Sequence, residues 1–424
     1  MQRVMQEISL DQLELSEWIR PGDRVLWGQA CSEPQSLVRL LMAQRHRVAR
    51  ADRVNVFLGI GAPGGALNLQ AVDCIDFASY CGTGANRNLA KSGHLDILPS
   101  HYSQMAAMMA DGRFRVDVLL LQVVPGTTPG RFRFALAQEY LSATLESARV
   151  VIAQCNPLAP AAFGQKELSE KDIDVLVRVA EPVIEMPSPA ANPVEDRIAA
   201  HIASLVEDGD TLQFGLGNVP DATLARLHDR RDLGIHSGLL NDRAARLIEL
   251  GVANGLRKTR DRGIAVTGVL MGSAPLFRLA HENPKILLSD TRYTHDAEVL
   301  ASLHQFTAIN SAIEVDLSGQ VNTELARGVY VGAVGGSLDF LRGAARSRGG
   351  KPIIALPSTT GPQSRITARL DGPVSIPRSD IAFVVTEYGI ADLRGATLKQ
   401  RRQRLLDIAH PDHRAALDAA HSLL

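Results

Sequence analysis

Two stretches of the sequence resemble each other and decide the fold: RPGDRVLWGQACSEPQSLVRL at residues 20–40 and EDGDTLQFGLGNVPDATLARL at residues 207–227. Each contains Gly-Asp, an apolar run that ends in an aromatic residue and glycine, a loop with proline, and Leu-x-Arg-Leu at helical spacing. Gly22 aligns with Gly209 in this comparison. The repeat indicates a duplicated unit made of a strand, a glycine turn and a helix.

Further short apolar runs occur along the chain, each rich in β-branched or aliphatic residues and bounded by turn residues. They read VDVLLLQVV, ARVVIAQC, GIAVTGVLM, PIIALP and IAFVVTEYG, and they begin at residues 116, 148, 263, 352 and 381. Continuous apolar runs of this length are typical of buried parallel strands, and helical patterns alternate with them. The sequence therefore predicts an α/β protein with two open, mostly parallel sheets related by internal duplication.

A proline-rich segment, EPVIEMPSPAANPVEDR at residues 181–197, lies between the two copies of the repeat. Its four prolines, Pro182, Pro187, Pro189 and Pro193, disfavour regular helix and favour an extended connector. We therefore place an N-terminal domain at residues 1–189 and a C-terminal domain at residues 190–424. Ligands of open parallel sheets bind outside the carboxyl ends of the strands, so we expect the two glycine turns to line one cleft.

The composition excludes several classes of protein. Hydrophobic residues make up 45% of the chain, aromatic residues only 4%, and the formal net charge is -1, so we expect no nucleic-acid partner. The four cysteines lack CxxC spacing and the histidines lack a metal-site motif, which favours a reduced, cytoplasmic protein with no bound metal. No signal peptide or membrane span is expected, because no long apolar run is present.

Three loops that follow predicted strands are candidate ligand-binding elements. Their candidate residues are Gly215, Gly217 and Asn218 in the second repeat, Gly332, Val334, Gly335 and Gly336 ahead of an amphipathic helix, and Ser358 in a hydroxyl-rich loop after PIIALP. Glycine lets backbone N–H groups approach an anionic or thioester oxygen closely. Tight turns and a solvated loop are the purely structural alternatives, and spacing alone leaves both interpretations open.

Seven motifs, in order along the chain, resemble one known family. They are DGDTLQFGLGNVPDATLARL, DLGIHSGLLND, AINSAIEVDLSGQV, GAVGGSLDF, GGKPIIALPST, VVTEYGIADLRG and IAHPDHRAAL. Together they resemble the acetyl-CoA hydrolase/transferase family, which includes 4-hydroxybutyrate and succinyl-CoA:acetate CoA-transferases. The resemblance implies two domains of the NagB/RpiA/CoA-transferase type with an active site between them, and a homo-oligomer, commonly a dimer. It also implies that an acyl-CoA and a small carboxylic acid are substrates and that no cofactor is permanently bound.

The resemblance further implies covalent catalysis by a glutamate, which attacks the acyl-CoA thioester and then carries CoA as a glutamyl thioester. That glutamate normally follows a His-Thr pair, which here reads His236-Ser237, and Gly238 occupies its position. Glycine has no side chain to attack with, so the usual mechanism is in doubt, although Gly238 stays among the predicted CoA-site residues. Gly335 and Gly336 match the family's glycine loop, which is expected to donate to the developing oxyanion.

Another carboxylate is needed if the chain is a catalyst, and Glu33 is the candidate. It lies in the glycine turn of the first repeat, GQACSEPQ, which the pseudo-symmetry places across the cleft from LGNVP. The structural alternative is that Glu33 only complements a helix N-terminus. Cys31 and Ser32 share the turn but have no nearby base in the sequence, so a structural role is favoured for both.

Three functions remain open at this point: transfer of CoA to a small carboxylic acid, hydrolysis of an acyl-CoA, and binding by a homologue that has lost catalysis. With glycine at position 238, the motif also resembles a branch of the family whose members have shorter chains. That branch is associated with itaconate or related dicarboxylates. Arg87 and Arg113 are candidate partners for a second substrate carboxylate, and surface solvation is the alternative for both.

Overall fold

The computed structural model describes residues 3–50, 52–188 and 190–420, and two large β-sheets dominate it. The strands of the first half are β1 (Gln6–Glu7), β2 (Arg24–Trp27), β3 (Val54–Leu58), β4 (Ile75–Ser79), β5 (Leu95–Ile97), β6 (Val118–Pro125), β7 (Arg131–Phe134), β8 (Val150–Cys155), β9 (Phe163–Gly164), β10 (Glu167–Ser169) and β11 (Val175–Arg178). The first sheet has the strand order β1-β11-β8-β6-β2-β3-β4-β5, and all of these pairings are parallel. Antiparallel β7 and β10 extend it beside β6.

The second half forms a corresponding sheet. Its strands are β12 (Thr211–Phe214), β13 (Gly234–Leu240), β14 (Ala265–Leu270), β15 (Ile286–Leu288), β16 (Phe306–Ser311), β17 (Glu314–Asp316), β18 (Val321–Asn322), β19 (Leu325–Ala326), β20 (Val329–Tyr330), β21 (Lys351–Ala355), β22 (Thr359–Thr360), β23 (Gln363–Ser364), β24 (Ile366–Thr367), β25 (Phe383–Thr386) and β26 (Gly389–Asp392). The order is β26-β25-β21-β16-β12-β13-β14-β15-β9, with β26 antiparallel. The remaining strands form three small sheets.

Helices cover the sheets and connect their strands. They are α1 (Gln35–Ala49), α2 (Asn86–Lys91), α3 (Tyr102–Ala110), α4 (Leu141–Ser147), α5 (Pro193–Leu205), α6 (Asn218–Ala225), α7 (Asp242–Glu249), α8 (Ala274–Ala280), α9 (Thr291–Thr294), α10 (Ala297–Ser302), α11 (Ser337–Arg346), α12 (Leu398–Asp407) and α13 (Pro411–Ala419). Among the described residues, no helix has both the length and the apolar character needed to cross a bilayer.

The two sheets repeat one strand order, as the internal repeat predicts. The run β11-β8-β6-β2-β3-β4-β5 in the first sheet corresponds to β25-β21-β16-β12-β13-β14-β15 in the second. The two repeated sequences form the central strands β2 and β12, each followed by a turn and a helix. All five apolar runs contain strands, so the predicted α/β class with open, mostly parallel sheets is confirmed.

The segment between the two sheets forms neither helix nor strand over its described residues up to the start of α5. Asn192 caps that helix, since its side chain accepts hydrogen bonds from the N–H groups of Val194 and Glu195. Pro189 lies outside the described residues, and the division after residue 189 stays a prediction. Because β9 pairs with β15, one strand of the first half completes the sheet of the second.

The two halves also share an apolar core. One buried cluster contains side chains from both sheets, among them Tyr140, Phe214 and Met271. Burial of this apolar surface stabilises the association at roughly 25 cal/mol per Å² removed from water. The shared core holds the carboxyl ends of the central strands of the two sheets close to each other.

Candidate active site

A cavity of about 210 Å³ lies where the carboxyl ends of the two sheets meet. The first half contributes residues that follow β2, β3 and β4, together with the N-terminus of α3. The second half contributes the ends of β12, β14 and β16, a glycine from the middle of β13, and a loop ahead of α11. The residues that line the cavity include Gln29, Tyr80, Tyr102, Glu139, Gly215, Gly238, His295, Val334, Gly335, Gly336 and Phe340. This is the position that ligands take in open parallel sheets.

The loop at residues 332–336, here called the glycine loop, is fixed by the opposite half of the protein. The N–H of Gly82 donates to the carbonyl of Gly332 (2.9 Å), and the N–H of Tyr102 donates to the carbonyl of Gly335 (3.0 Å). Gly335 has a φ of +58°, which favours glycine. Gly335 also forms an isolated parallel β-bridge with His101, so its backbone is engaged by the first half. Within the described part of the chain, the N–H of Gly336 has no hydrogen-bond acceptor, so it is available to a ligand oxygen in the cavity.

Gly238 lies on the cavity wall formed by β13, and the structure explains why this position has no side chain. A Cβ atom built there would lie 3.2 Å from Cε1 of His295 and 3.7 Å from the ring of Phe340. A longer side chain would project into the space that the imidazole occupies. His295 therefore leaves little room for a side chain at position 238.

His295 is a buried, neutral imidazole. Its ring packs on Phe340 at a centroid distance of 4.4 Å and on Tyr102 at 4.9 Å, and Nδ1 is hydrogen-bonded to Thr294 Oγ1 (2.8 Å). Burial lowers the pKa of His295 to about 3. A cation is therefore absent from this side of the cavity at neutral pH.

A buried carboxyl group faces the same cavity from the first half of the chain. Glu139 is only 1% exposed, and its Oε2 accepts hydrogen bonds from Gln29 Nε2 (2.7 Å) and from the hydroxyl of Tyr102 (2.5 Å). Its Oε1 is buried without a partner among the described residues. Burial raises the pKa of Glu139 to about 7, although the two hydrogen bonds act in the opposite direction. Sequence reasoning missed this residue, because QEYL has no motif that distinguishes it from the ordinary beginning of a helix.

The donors to Glu139 are themselves held in place. The side-chain oxygen of Gln29 accepts from the N–H of Ile60 (2.9 Å) and from the hydroxyl of Tyr80 (2.7 Å), which fixes the amide with its NH₂ toward Glu139. Gln29 lies two residues after the end of β2, so the turn of the first repeat does reach the cavity. It does so through Gln29, whereas Glu33 lies elsewhere.

Glu33 lies in a separate cavity of about 10 Å³, which has Gln29 as a shared wall. Its Oε1 accepts from the N–H of Ala66 (2.6 Å), and a Cβ atom built at Gly65 would lie 2.9 Å from Oε2, so the loop covers this carboxyl group. Burial raises the pKa of Glu33 to about 7. The catalytic role predicted for Glu33 stays a prediction, and Glu33 does not line the larger cavity.

The predicted CoA-site residues fall into two groups. Gly215, Gly238, Val334, Gly335 and Gly336 line the cavity. The others do not: Gly217 caps α6 with a φ of +135°, Asn218 donates to Glu195 Oε1 (2.8 Å), Gly332 anchors the glycine loop, and Ser358 donates to Glu387 through both its N–H and its hydroxyl. The prediction that these residues bind CoA stays a prediction.

The remaining candidates have structural environments. Cys31 is buried, which raises the pKa of its thiol to about 12, and the hydroxyl of Ser32 donates to the carbonyl of Gln29. Arg87 is exposed, and Arg113 pairs with its neighbour Asp111 at the surface. Neither arginine lines the cavity.

Comparison with known proteins gives consistent matches over most of the chain. Residues 7–185 match the acetyl-CoA hydrolase/transferase N-terminal domain, and residues 272–421 match the C-terminal domain of that family. The 4-hydroxybutyrate coenzyme A transferase of Clostridium kluyveri is 35% identical over 403 residues, 94% of each chain. The succinyl-CoA:cyclohexane-1-carboxylate CoA transferase of Geobacter metallireducens is 31% identical, covering 96% of this chain and 93% of its own. The crystal structure of RipA from Yersinia pestis superposes with a TM-score of 0.91 at 32% identity, covering 98% of this chain and 96% of that one.

Proposed function

The chain belongs to the acetyl-CoA hydrolase/transferase family, and from this premise we propose that it transfers coenzyme A from an acyl-CoA to a small carboxylic acid. Full-length relatives named as CoA transferases support the reaction class. The catalytic cavity and the glycine loop support the site. The predicted homodimer and the cytoplasmic location remain part of the same proposal.

The observation that carries the proposal is the pairing of a buried carboxyl group with a free backbone donor in one cavity. Glu139 lies on one side, and the N–H of Gly336 belongs to the other. Acyl transfer between a thioester and a carboxylate needs both, because a nucleophile must attack the carbonyl and its oxygen must be stabilised as charge develops.

The size and lining of the cavity favour a short acid. A volume of about 210 Å³ accommodates a small acyl group, whereas the nucleotide portion of CoA must lie outside it. No lysine or arginine is present among the described residues that line the cavity. A second carboxylate would have no cation to pair with there, so we propose monocarboxylic acids ahead of itaconate-like dicarboxylates.

Hydrolysis is the second candidate, and one observation favours it. A carboxylate of pKa about 7 is suited to remove a proton from water near neutral pH. Glu139 could then activate water instead of attacking the thioester. Thiol release in the absence of any acceptor acid would distinguish this reaction from transfer.

A donor-by-acceptor screen tests the proposal. Purified protein is mixed with acetyl-, butyryl- or succinyl-CoA and with acetate, butyrate, 4-hydroxybutyrate or itaconate, and the CoA esters are separated by liquid chromatography while free thiol is measured in parallel. We expect a new acyl-CoA only when an acceptor is present, with monocarboxylates the better acceptors. Thiol release without an acceptor would indicate the hydrolase, and no turnover with any pair would indicate a binding protein.

A further inference from the structure

We propose that Glu139 supplies the nucleophilic carboxylate that β13 lacks at Gly238, so that the attacking group has moved from one half of the protein to the other. This inference rests on the proposed CoA transfer and specifies the residue that performs it. It is independent of the sequence resemblance, which places the nucleophile at Gly238 and assigns no role to Glu139.

Glu139 packs against the strand that neighbours Gly238. Ser237 pairs with Thr267, and Leu239 pairs with Val269, so Gly238 lies beside Gly268 on the neighbouring strand β14. A Cβ atom built at Gly268 would lie 2.9 Å from the carbonyl oxygen of Gly238 and 3.7 Å from Cγ of Glu139. The side chain of Glu139 therefore packs over Gly268, on the strand that neighbours Gly238, and both Glu139 and Gly238 line the cavity.

Backbone hydrogen bonds hold Glu139 at this point. The N–H of Gln138 donates to the carbonyl of Gly268 (3.0 Å), and the N–H of Leu270 donates to the carbonyl of Leu136 (2.7 Å). The segment before Glu139 is thus fixed along β14, on the side opposite β13. Glu139 itself has a φ of +30°, a left-handed conformation that costs free energy for a residue with a side chain.

The two oxygens of the Glu139 carboxyl group have different environments. Two donors hold Oε2, while Oε1 is buried and has no partner among the described residues. An unsatisfied buried oxygen costs roughly 1–3 kcal/mol, and fixing one oxygen directs the other. Oε1 is therefore the oxygen that is left to react, and Glu139 lines the cavity that also contains Gly335 and Gly336.

The chemistry balances without any further reactant. Oε1 of Glu139 attacks the thioester carbonyl, a C–O bond forms, the C–S bond breaks, and CoA thiolate leaves an acyl-glutamyl anhydride. The thiolate then attacks the Glu139 carbonyl, which releases the donor acid and gives a glutamyl-CoA thioester. The acceptor carboxylate attacks that thioester, and the thiolate returns to the acceptor carbonyl, which regenerates the Glu139 carboxylate.

Glu33 is the competing carboxyl group, and it differs in the hydrogen bonding of its Oε1 and in the cavity that it faces. Both glutamates are buried, 1% exposed for Glu139 and 5% for Glu33. The oxygen Oε1 of Glu33 is already bonded to the N–H of Ala66, and Glu33 faces the smaller cavity. Glu33→Gln is therefore a closely matched comparison for Glu139→Gln.

The test is to trap the intermediate in the full-length protein with an acyl-CoA alone. Protein is incubated with acetyl-, butyryl- or succinyl-CoA, treated with hydroxylamine or borohydride, digested with trypsin, and sequenced by mass spectrometry. We expect the modification at Glu139 in the peptide 134–149, where surface-exposed Glu146 is an internal control. Glu139→Gln should lose the adduct and at least about 1,000-fold in turnover, while Glu33→Gln should keep both.

Other outcomes separate this inference from the proposed function. Turnover with the adduct on Glu33 or another residue, or turnover retained in Glu139→Gln, would overturn the inference and leave CoA transfer standing. Thiol release without any adduct would overturn it in favour of a general base. Absence of both turnover and adduct with every donor would overturn the proposed function and the inference together. Circular dichroism of each variant, and recovery of part of the adduct in Glu139→Asp, separate a lost nucleophile from a lost fold.

Discussion

Replacing Glu139 by glutamine should make the protein more stable at high pH. Burial raises the pKa of Glu139 from 4.5 to about 7, so the folded state favours the protonated form. Below pH 4.5, burial of this carboxyl group causes no loss in the free energy of unfolding. As the pH rises above 4.5 the free energy of unfolding falls, and the loss is complete once the pH has passed 7. Glutamine carries no charge at any pH and avoids this loss.

The magnitude follows from the size of the shift. A rise in the pKa of Glu139 from 4.5 to about 7 lowers the free energy of unfolding of wild type by about 3 kcal/mol above pH 7, and by about 1 kcal/mol at pH 5. The stability of Glu139→Gln relative to wild type should therefore increase by about 2 kcal/mol between pH 5 and pH 8. For a chain of this length that unfolds in one transition, the difference in Tm should grow by about 2 °C.

The assay is thermal unfolding of wild type and variant at pH 5 and pH 8, followed by circular dichroism. Glu249→Gln on the exposed end of α7 is the control and should show no pH-dependent difference. A Glu139→Gln variant that is equally or more destabilised at pH 8 than at pH 5 would refute the reasoning, because the carboxyl group would then not be desolvated in the folded protein.

Three further results are expected. The kcat/KM of transfer should fall about tenfold from its plateau by pH 6, since Glu139 must be ionised to attack. Glu33→Gln should keep this profile. A flat profile in wild type would contradict the role of Glu139. Tyr102→Phe removes a donor to the ionised carboxylate and should move the acidic limb of the same profile to higher pH, whereas an unchanged limb would show that the hydroxyl does not act on Glu139. Gly238→Glu should lower both Tm and activity because of the contact with His295, and Gly238→Glu with His295→Ala should recover Tm; equal Tm values for the single and double variants would contradict the steric argument.

The pH profile of kcat/KM reports on Glu139 because the titratable groups packed around it change charge at pH values far from 7. Burial raises the pKa values of three neighbouring phenols well above 10 and lowers that of the nearby imidazole to about 3; these residues are Tyr80, Tyr102, Tyr140 and His295. The pKa of Glu33 is also raised to about 7, and for that reason Glu33→Gln is measured beside wild type.

The fold could be predicted from the sequence to a large extent because its signals are local. The duplicated strand-turn-helix unit can be recognised in residues 20–40 and 207–227, and the two sheets have the same strand order. Glycines such as Gly335 could be identified as site candidates, because close backbone approach requires them.

The carboxyl group proposed as the nucleophile, Glu139, could not be identified in the same way. The turn after β2 contains a short 3-10 helix, Ala30–Ser32, so the pseudo-symmetry with the second repeat fails at Glu33. Glu139 reaches the cavity through contacts with Gln29 and Gly268, which lie more than 100 residues away on either side. No periodicity or local spacing contains that information.

The central claim is that a carboxylate of the enzyme, and not water, accepts the acyl group during CoA transfer. It is tested most directly with acetyl-CoA and butyrate labelled with ¹⁸O in both carboxylate oxygens, in unlabelled water. If Glu139 is the nucleophile, each turnover leaves one labelled oxygen on the enzyme, which the next turnover passes to acetate. The released acetate should therefore carry ¹⁸O in mass spectrometry. Acetate containing only solvent oxygen would contradict the account.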